Sequence, residues 1–191
     1  MRLPFRRNEL AMDDIVKLAM VKWPNVPDCF GWLGLDGRGD WYLRDDAAQA
    51  AGAFTSGAQG AKGSRLQHEK LIDFIQRNYA ADVDGCWYFQ NGPQRVYVEL
   101  QHTPWVWRVS SSGEVASHSG LPTQVSASYL DEAGHLYLAT PLGMGLVHTA
   151  DMEHAAAMVE AGHWSPEDVS QATLESRFGF LRSPSARLKT T

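Results

Sequence analysis

Short runs of β-type residues, separated by turn residues, follow one another along the chain from residue 83 onward. They are rich in the aromatic and β-branched side chains that favour strands, and they cover residues 86–89, 95–100, 105–109, 124–129, 135–139 and 146–148. Turn-forming residues stand between them: Asn91-Gly92-Pro93, Ser112-Gly113, Asp131-Glu132-Ala133-Gly134 and Leu142-Gly143-Met144-Gly145. Because parallel neighbours need a crossover of a dozen or more residues, connections this short predict an antiparallel meander.

Amphipathic helices accompany these strands. Apolar residues recur at helical spacing over 9–22, and the helix must end at the Trp23-Pro24 step, since proline cannot donate the next backbone hydrogen bond. Ser64 and Gln67 have the spacing of a capping box, and the apolar stripe that follows them predicts a helix over 65–80.

The remaining elements are predicted from turn and cap signals. Strands over 29–35 and 40–43 are joined by a Gly-rich turn and form a hairpin. Residues 47–63 are rich in Ala and Gly and predict a mobile loop, with a short helix at its start. Two more helices are predicted, one from Met152 to Gly162 and one from Pro166 to Gly179.

These elements place the chain in the α+β class, as a short antiparallel β-meander packed with flanking helices. With 191 residues it can bury a core without disulfide or metal support, as one domain or as two small α+β subdomains. The change in composition along the chain suggests a helix–hairpin–helix subdomain over 1–80, a sheet with C-terminal helices over 81–176, and a basic flexible tail over 177–191.

The charges are unevenly distributed. Residues 109–176 carry nine acidic side chains and no lysine or arginine, whereas the tail contains Arg177, Arg182, Arg187 and Lys189. An acidic surface repels phosphate, so nucleic acid and anionic membranes are not expected as partners. The acidic stretch suggests instead a protein partner of basic character.

The cysteines and the hydropathy pattern predict a cytoplasmic protein. Cys29 and Cys86 are far apart and form no C-x-x-C pair, which is typical of free thiols in a reducing compartment. Residues 1–10 lack the apolar stretch of a secretory signal, and no apolar run is long enough to span a bilayer.

Aromatic residues suggest the candidate site. Trp105 and Trp107 point to the same face of one strand, and Trp87 lies on a strand expected to be its neighbour. Such a face either lines a ligand pocket or fills the core between sheet and helices. Polar residues near this face complete a tentative ligand-binding set of Trp87, Glu99, His102, Trp105, Trp107 and Arg108.

Other chemistries have weaker support in the sequence. The seven histidines show no metal-ligand spacing with each other or with a cysteine, so we expect neither a metal nor another cofactor. The glycines match neither dinucleotide nor P-loop patterns. A nucleophilic Cys29 would need a base and an electropositive setting that its neighbours do not supply.

Several stretches resemble a known family of unknown function. They are Gly39-Asp40-Trp41-Tyr42-Leu43, Gly85-Cys86-Trp87-Tyr88-Phe89, Arg95-Val96-Tyr97-Val98-Glu99, Thr103-Pro104-Trp105-Val106 and Tyr137-Leu138-Ala139-Thr140-Pro141-Leu142-Gly143. Their order resembles an uncharacterised proteobacterial family and, more distantly, the bacterial domain of unknown function 1285. The resemblance implies two small α+β domains and a part in signalling or small-molecule sensing, without an established reaction.

The leading hypothesis is therefore a non-catalytic protein that binds a small molecule or acts in regulation, with its site against the tryptophan-bearing sheet. An enzyme that uses Cys29 or a histidine–acid site is the first alternative. An acidic adaptor for a basic protein partner is the second.

Overall fold

The structure is a computed structural model that describes residues 12–189, and side chains as far as residue 186. Within this range the chain forms two compact units. The first unit contains residues 12–36, 40–101 and 180–189, and the second contains 37–39 and 102–179. The division predicted from the sequence, at residues 80 and 176, remains a prediction; the boundaries of the two compact units lie at other positions.

The first unit combines a six-stranded sheet with three helices. Its elements are α1 (Asp14–Lys22), β1 (Cys29–Leu35), β2 (Trp41–Leu43), α2 (Asp46–Ala51), β3 (Ser64–Arg65), α3 (Glu69–Arg77), β4 (Tyr79–Ala81), β5 (Trp87–Asn91) and β6 (Gln94–Leu100). The strand order is β3-β2-β1-β6-β5-β4. A 3₁₀ turn at Pro184–Lys189 returns to β1 and β6.

The second unit contains a seven-stranded sheet. Its elements are β7 (Trp105–Val109), β8 (Val115–Ser117), β9 (Pro122–Thr123), β10 (Ala127–Leu130), β11 (Leu136–Thr140), β12 (Gly143–Val147), α4 (Met152–Glu160), β13 (Glu167–Asp168) and α5 (Leu174–Phe178). The strand order is β13-β10-β11-β12-β7-β8-β9.

The two sheets share one topology. Each contains two three-stranded antiparallel meanders joined side by side, and at the junction the first strand of the unit pairs with its sixth strand in parallel. The second sheet has in addition β13, which pairs with β10. In the first unit the junction is β1–β6, and in the second it is β7–β12. We call this parallel pairing the seam. The sequence shows no internal repeat, so the likeness between the units is one of strand order.

A common five-residue loop connects strands in both units. In the described chain it occurs at 36–40, 82–86, 110–114, 117–121 and 131–135, each beginning with Asp or Ser and carrying Gly in fourth place. The first side chain accepts the N–H of the fifth residue at 2.8–3.1 Å. The glycine has φ between 81° and 83°, a left-handed conformation that disfavours residues with a Cβ. Local residues therefore determine these turns.

The expected purely antiparallel meander is wrong in two respects. Both sheets are mixed, since β1–β6, β7–β12 and β10–β13 pair in parallel. The strands after residue 83 also do not form one sheet, because β5 and β6 belong to the first sheet and β7 onward to the second. Parallel partners here are strands far apart in sequence, so no connecting turn reveals them. The α+β class itself is confirmed.

The helices agree with the predictions in part. α1 confirms the described part of the helix predicted over 9–22, whose beginning lies outside the described residues. α3 is shorter than predicted, since Ser64 pairs in β3 and His68 caps the helix by accepting the N–H of Leu71. The last helix is limited to α5, because residues after Pro166 pair with β10.

The Ala- and Gly-rich segment over 47–63 is packed against the first sheet. It begins with α2, and Phe54 and Ala61 are buried. Arg44 is also buried, and its guanidinium donates to the carbonyl oxygens of Ala61 at 2.8 Å and Gly52 at 2.6 Å. The Arg44 side chain thus supplies hydrogen-bond donors to carbonyl oxygens that have no helix or strand partner in this irregular segment.

Candidate functional site

The two tryptophans at the centre of the predicted site are core side chains. Trp105 and Trp107 are 1% and 0% exposed, and their rings stack with centroids 6.0 Å apart. Their indole N–H groups donate to the carbonyl oxygens of Leu142 at 2.8 Å and Leu138 at 2.9 Å. Both polar atoms are therefore already satisfied by backbone, as buried Trp requires.

The other four predicted residues divide between the units. Trp87 lies on β5 against Tyr79, with ring centroids 4.7 Å apart, and it does not neighbour β7. Buried Glu99 accepts hydrogen bonds from the Ser183 hydroxyl at 2.6 Å and the Ser185 N–H at 3.2 Å. Trp87 and Glu99 thus belong to the first unit.

His102 and Arg108 belong to the second unit with the two buried tryptophans. The His102 ring lies 5.3 Å from the ring of His135. Arg108 forms a two-pronged ion pair with Asp151 at 2.6 and 3.1 Å. This contact is the main cause of a lowered pKa at Asp151, and it raises the pKa of Arg108. The six-residue site remains a prediction, and the division of its residues between the two units does not support it.

A histidine–aspartate cluster forms at the loop between β10 and β11. Asp131 Oδ2 accepts from the Tyr137 hydroxyl at 3.0 Å and the Gln171 amide at 2.8 Å, and it lies 2.9 Å from His135 Nδ1. Burial raises the pKa of Asp131, but the hydrogen bonds from the His135 backbone and ring, from Gln171 and from Tyr137 outweigh it and lower the pKa to about 2. The carboxylate therefore stays ionised and organises the loop.

The cysteines do not have the surroundings of a nucleophile. Cys86 is 1% exposed and Cys29 is partly buried, and both are free thiols, as predicted. Burial raises the pKa of Cys29, which lowers its thiolate fraction near neutral pH. Among the described residues, no three His, Cys, Asp or Glu side chains are arranged to hold a metal ion.

A cavity opens in the first unit, between the segment that follows α1 and the β5–β6 hairpin. Its volume is about 670 Å³, within the range typical of small-molecule sites. The Trp23 cavity, as we call it, is lined by Met20, Trp23, Pro24, Asn25, Val26, Pro27, Asp28, Gln90, Pro93 and Arg95. None of these residues belongs to the predicted site.

Local sequence determines the wall that contains Trp23. Trp23 donates the last helical N–H, to the carbonyl oxygen of Ala19. The helix α1 ends there because Pro24 has no N–H with which to continue the helical hydrogen bonds. The chain then runs on to β1, and Gln94 at the hairpin donates its side-chain amide to the Pro27 carbonyl at 3.1 Å. Held in this way, Trp23 remains 51% exposed beside the cavity.

Gln90 provides an acceptor without a hydrogen bond. It is 1% exposed, and its Nε2 donates to the Gly92 carbonyl at 2.9 Å. Its Oε1 is buried and has no hydrogen-bond partner among the residues the structure describes. Turning the amide over would point Oε1 at the Gly92 oxygen, so the observed orientation is the favourable one. An unsatisfied buried acceptor costs about 1–3 kcal/mol.

Arg95 supplies a positive charge at the same cavity. Its guanidinium lies over the Tyr88 ring, 4.7 Å from the centroid. Burial lowers the pKa of Arg95, but the hydrogen bond to Tyr97 and the interactions with Tyr88 and Asp28 outweigh it and raise the pKa. No ion pair of Arg95 occurs between residues 12 and 186. The charge is thus oriented by Tyr88 and Tyr97, with Asp28 near enough to interact with it.

The described range contains no helix that could cross a membrane. The longest α-helices between residues 12 and 189 have nine residues, and none combines the length and the apolarity of a bilayer-crossing segment.

Comparison with known proteins yields one family and one similar structure to report. The chain is similar in structure to a DUF1285 family protein from Silicibacter pomeroyi DSS-3, with 12% sequence identity, a TM-score of 0.46, and 70% of this chain and 73% of that chain covered. No curated protein matches the chain.

The family assignment rests on nearly the whole described range. The model of the family DUF2944, described as "Protein of unknown function (DUF2946)", matches residues 12–185. The expected resemblance to a family of unknown function is therefore confirmed, and the chain belongs to this family.

Proposed function

We propose that this protein binds a small molecule in the Trp23 cavity and acts as a non-catalytic regulatory protein of the cytoplasm. The observation that carries the proposal is the cavity itself, about 670 Å³ in volume, with the half-exposed Trp23 indole and the Arg95 guanidinium on its lining. An apolar wall around a few convergent polar groups is the usual composition of a ligand site. Here Trp23 and the three prolines supply apolar surface, Arg95 and Asp28 supply charges, and polar atoms make up more than half of the exposed lining.

The alternatives derive less support from the described residues. The enzyme hypothesis based on Cys29 is opposed by the raised pKa of its thiol. The histidine–aspartate cluster has hydrogen bonds that explain it as the anchor of a loop. The acidic adaptor remains a prediction from the charge distribution.

The proposal can be tested by ¹⁹F NMR of protein labelled with 5-fluorotryptophan. The Trp23 resonance is assigned with the Trp23→Phe variant, and mixtures of metabolites are added. We expect at least one mixture to shift the Trp23 resonance. Trp32 lies on β1 of the same unit and is 41% exposed, but it does not line the cavity, so its resonance serves as the matched control.

Binding at the cavity should also stabilise the protein. A ligand at one hundred times its Kd stabilises the folded state by about 2.7 kcal/mol. Arg95→Gln removes the positive charge from the lining, and we expect it to weaken the binding of an anionic ligand. If every compound that raises the melting temperature leaves the Trp23 resonance unmoved, the cavity is not the site and the proposal is wrong.

A further inference from the structure

We propose that the exposed side of α1 is a dimer interface, on which a second copy of this chain packs with its own α1 in antiparallel orientation. The residues of this surface, which we call the α1 face, are Ile15, Leu18 and Val21. None of the three lines the Trp23 cavity. The α1 face is therefore a surface separate from the proposed ligand site, and its test does not depend on ligand binding.

The α1 face is apolar and open to solvent. Ile15 is 74% exposed, Leu18 70% and Val21 82%, and they follow one another at intervals of three residues along one side of the helix. Val16, on the opposite side, is buried in the first unit. Within the described residues, none of the helices α2 to α5 has a large apolar side chain with comparable exposure. Apolar residues on both sides are typical of a helix that is covered on both sides.

The sequence of α1 is self-complementary about Leu18. Asp14 lies four residues before Leu18, and Lys22 lies four residues after it. When two copies pack antiparallel with Leu18 against Leu18, Asp14 of one copy lies at the level of Lys22 of the other, about 6 Å from the centre. Ile15 and Val21, three residues to either side of the centre, come level with each other in the same way. Such a two-fold arrangement uses the same patch on both copies, as most homodimers do.

The charges at the two ends of α1 favour the antiparallel orientation over the parallel one. In a parallel pair, Asp14 would lie level with Asp14 and Lys22 with Lys22, and like charges repel each other. Asp14 is 94% exposed, and its ion pair with exposed Lys17 at 3.5 Å contributes little. Lys22 lies over the Trp23 ring, 4.5 Å from the centroid, and this contact brings no carboxylate to the ammonium. In the antiparallel dimer both charges gain a neighbour of opposite sign.

The size of the α1 face predicts a weak dimer. The helix has nine residues and is therefore about 14 Å long. Two helices of this length bury a total area below about 1,200 Å², the lower limit of standard protein interfaces. Interfaces of this size form reversible complexes, so we expect a dissociation constant in the micromolar range. Monomer and dimer should then both be populated at the concentrations used in sedimentation experiments.

Sedimentation equilibrium of the full chain tests the proposal, at concentrations up to about 1 mM. We expect the wild type to show a monomer–dimer equilibrium. Leu18→Glu places two carboxylates against each other at the centre of the interface, and it should raise the dissociation constant at least tenfold. Val83→Glu is the matched control, because Val83 is 81% exposed in the same unit but lies outside α1, and it should leave the equilibrium unchanged.

Charge variants test the antiparallel orientation. Asp14→Lys puts lysines at both ends of the α1 face, and Lys22→Asp puts carboxylates at both ends, so each variant alone should dimerise at least fivefold more weakly at low salt. An equimolar mixture of the two variants should dimerise again, because each lysine then lies level with a carboxylate of the other copy. Circular dichroism of each variant verifies that its helices are intact.

Several results would overturn the proposal. If Leu18→Glu dimerises as strongly as the wild type, the interface lies elsewhere on the molecule. A mixture of the charge variants that associates no better than either variant alone contradicts the antiparallel arrangement. If the wild type is monomeric at every concentration, a second copy is not the partner. Should Leu18→Glu also lower the melting temperature of that monomer, the α1 face is covered by another segment of the same chain.

Discussion

Replacing the buried carboxylate of the β10–β11 loop should destabilise the protein in a pH-dependent way. In Asp131→Asn the amide oxygen can still accept the turn N–H groups of Ala133 and His135. The Nδ2 group, however, would face Tyr137, Gln171 and the His135 ring, which now donate to a carboxylate oxygen. We expect the variant to lose the whole contribution of the charge.

The size of the loss follows from the pKa. A decrease from 3.8 to about 2 corresponds to about 2 kcal/mol of stability. Because the folded-state pKa of Asp131 is below its unfolded value, this contribution is complete above about pH 5 and is lost as the pH falls towards 2. At pH 3 about half of it should remain.

Urea unfolding at pH 7, 5 and 3, followed by tryptophan fluorescence and circular dichroism together, measures this difference. The two signals also reveal whether the units unfold separately. Asp82→Asn is the matched control, since Asp82 begins the same kind of loop but receives one side-chain donor, the Tyr97 hydroxyl. If wild type and Asp131→Asn differ by the same amount at pH 7 and pH 3, the ionised carboxylate is not the stabilising group.

Two further predictions concern a glycine pair and the thiols. Gly60→Ala should lower the free energy of unfolding by about 1 kcal/mol, from its left-handed φ of 81° alone. Gly63→Ala should lower it by about 2 kcal/mol more, because its Cβ would overlap the backbone oxygen of Leu43. Thermal melts of both variants measure the difference, and equal losses would contradict the prediction. In native protein at pH 7.5, Cys29 should react with iodoacetamide more slowly than a free thiol, and Cys86 should react only after unfolding. Rapid labelling of Cys29, detected by mass spectrometry, would favour the enzyme hypothesis instead.

Local signals in the sequence were sufficient to predict most strands. The five-residue loops carry Asp or Ser and Gly at fixed positions, so the hairpins around them are predictable from composition. Strands of two or three residues, such as β8 and β9, have too few side chains to show alternation and were missed. Partners across the seam were also missed, because strands about sixty residues apart, such as β1 and β6, are brought together by packing alone.

The candidate site was predicted less well, for a physical reason. A tryptophan in a strand has the same sequence signature whether its face is open or closed, and the carbonyl oxygens that satisfy Trp105 and Trp107 come from distant residues. Trp23 offered a better signal, since a tryptophan followed directly by proline stands where a helix must end and is harder to bury. The acceptor of Gln90 could not be found from sequence, because only coordinates show which buried atoms have partners.

The seam has a consequence for the order of folding. Each half of the second sheet, β7–β8–β9 or β10–β11–β12, is joined by short loops and can form quickly, whereas β7 and β12 must meet across about forty residues. Gly145 on β12 lies directly against the Trp107 indole, with no room for a Cβ, so this meeting requires close steric fit. Formation of the seam should therefore be the late, rate-limiting event, and substitutions in the outer strands, which form before it, should mainly slow folding.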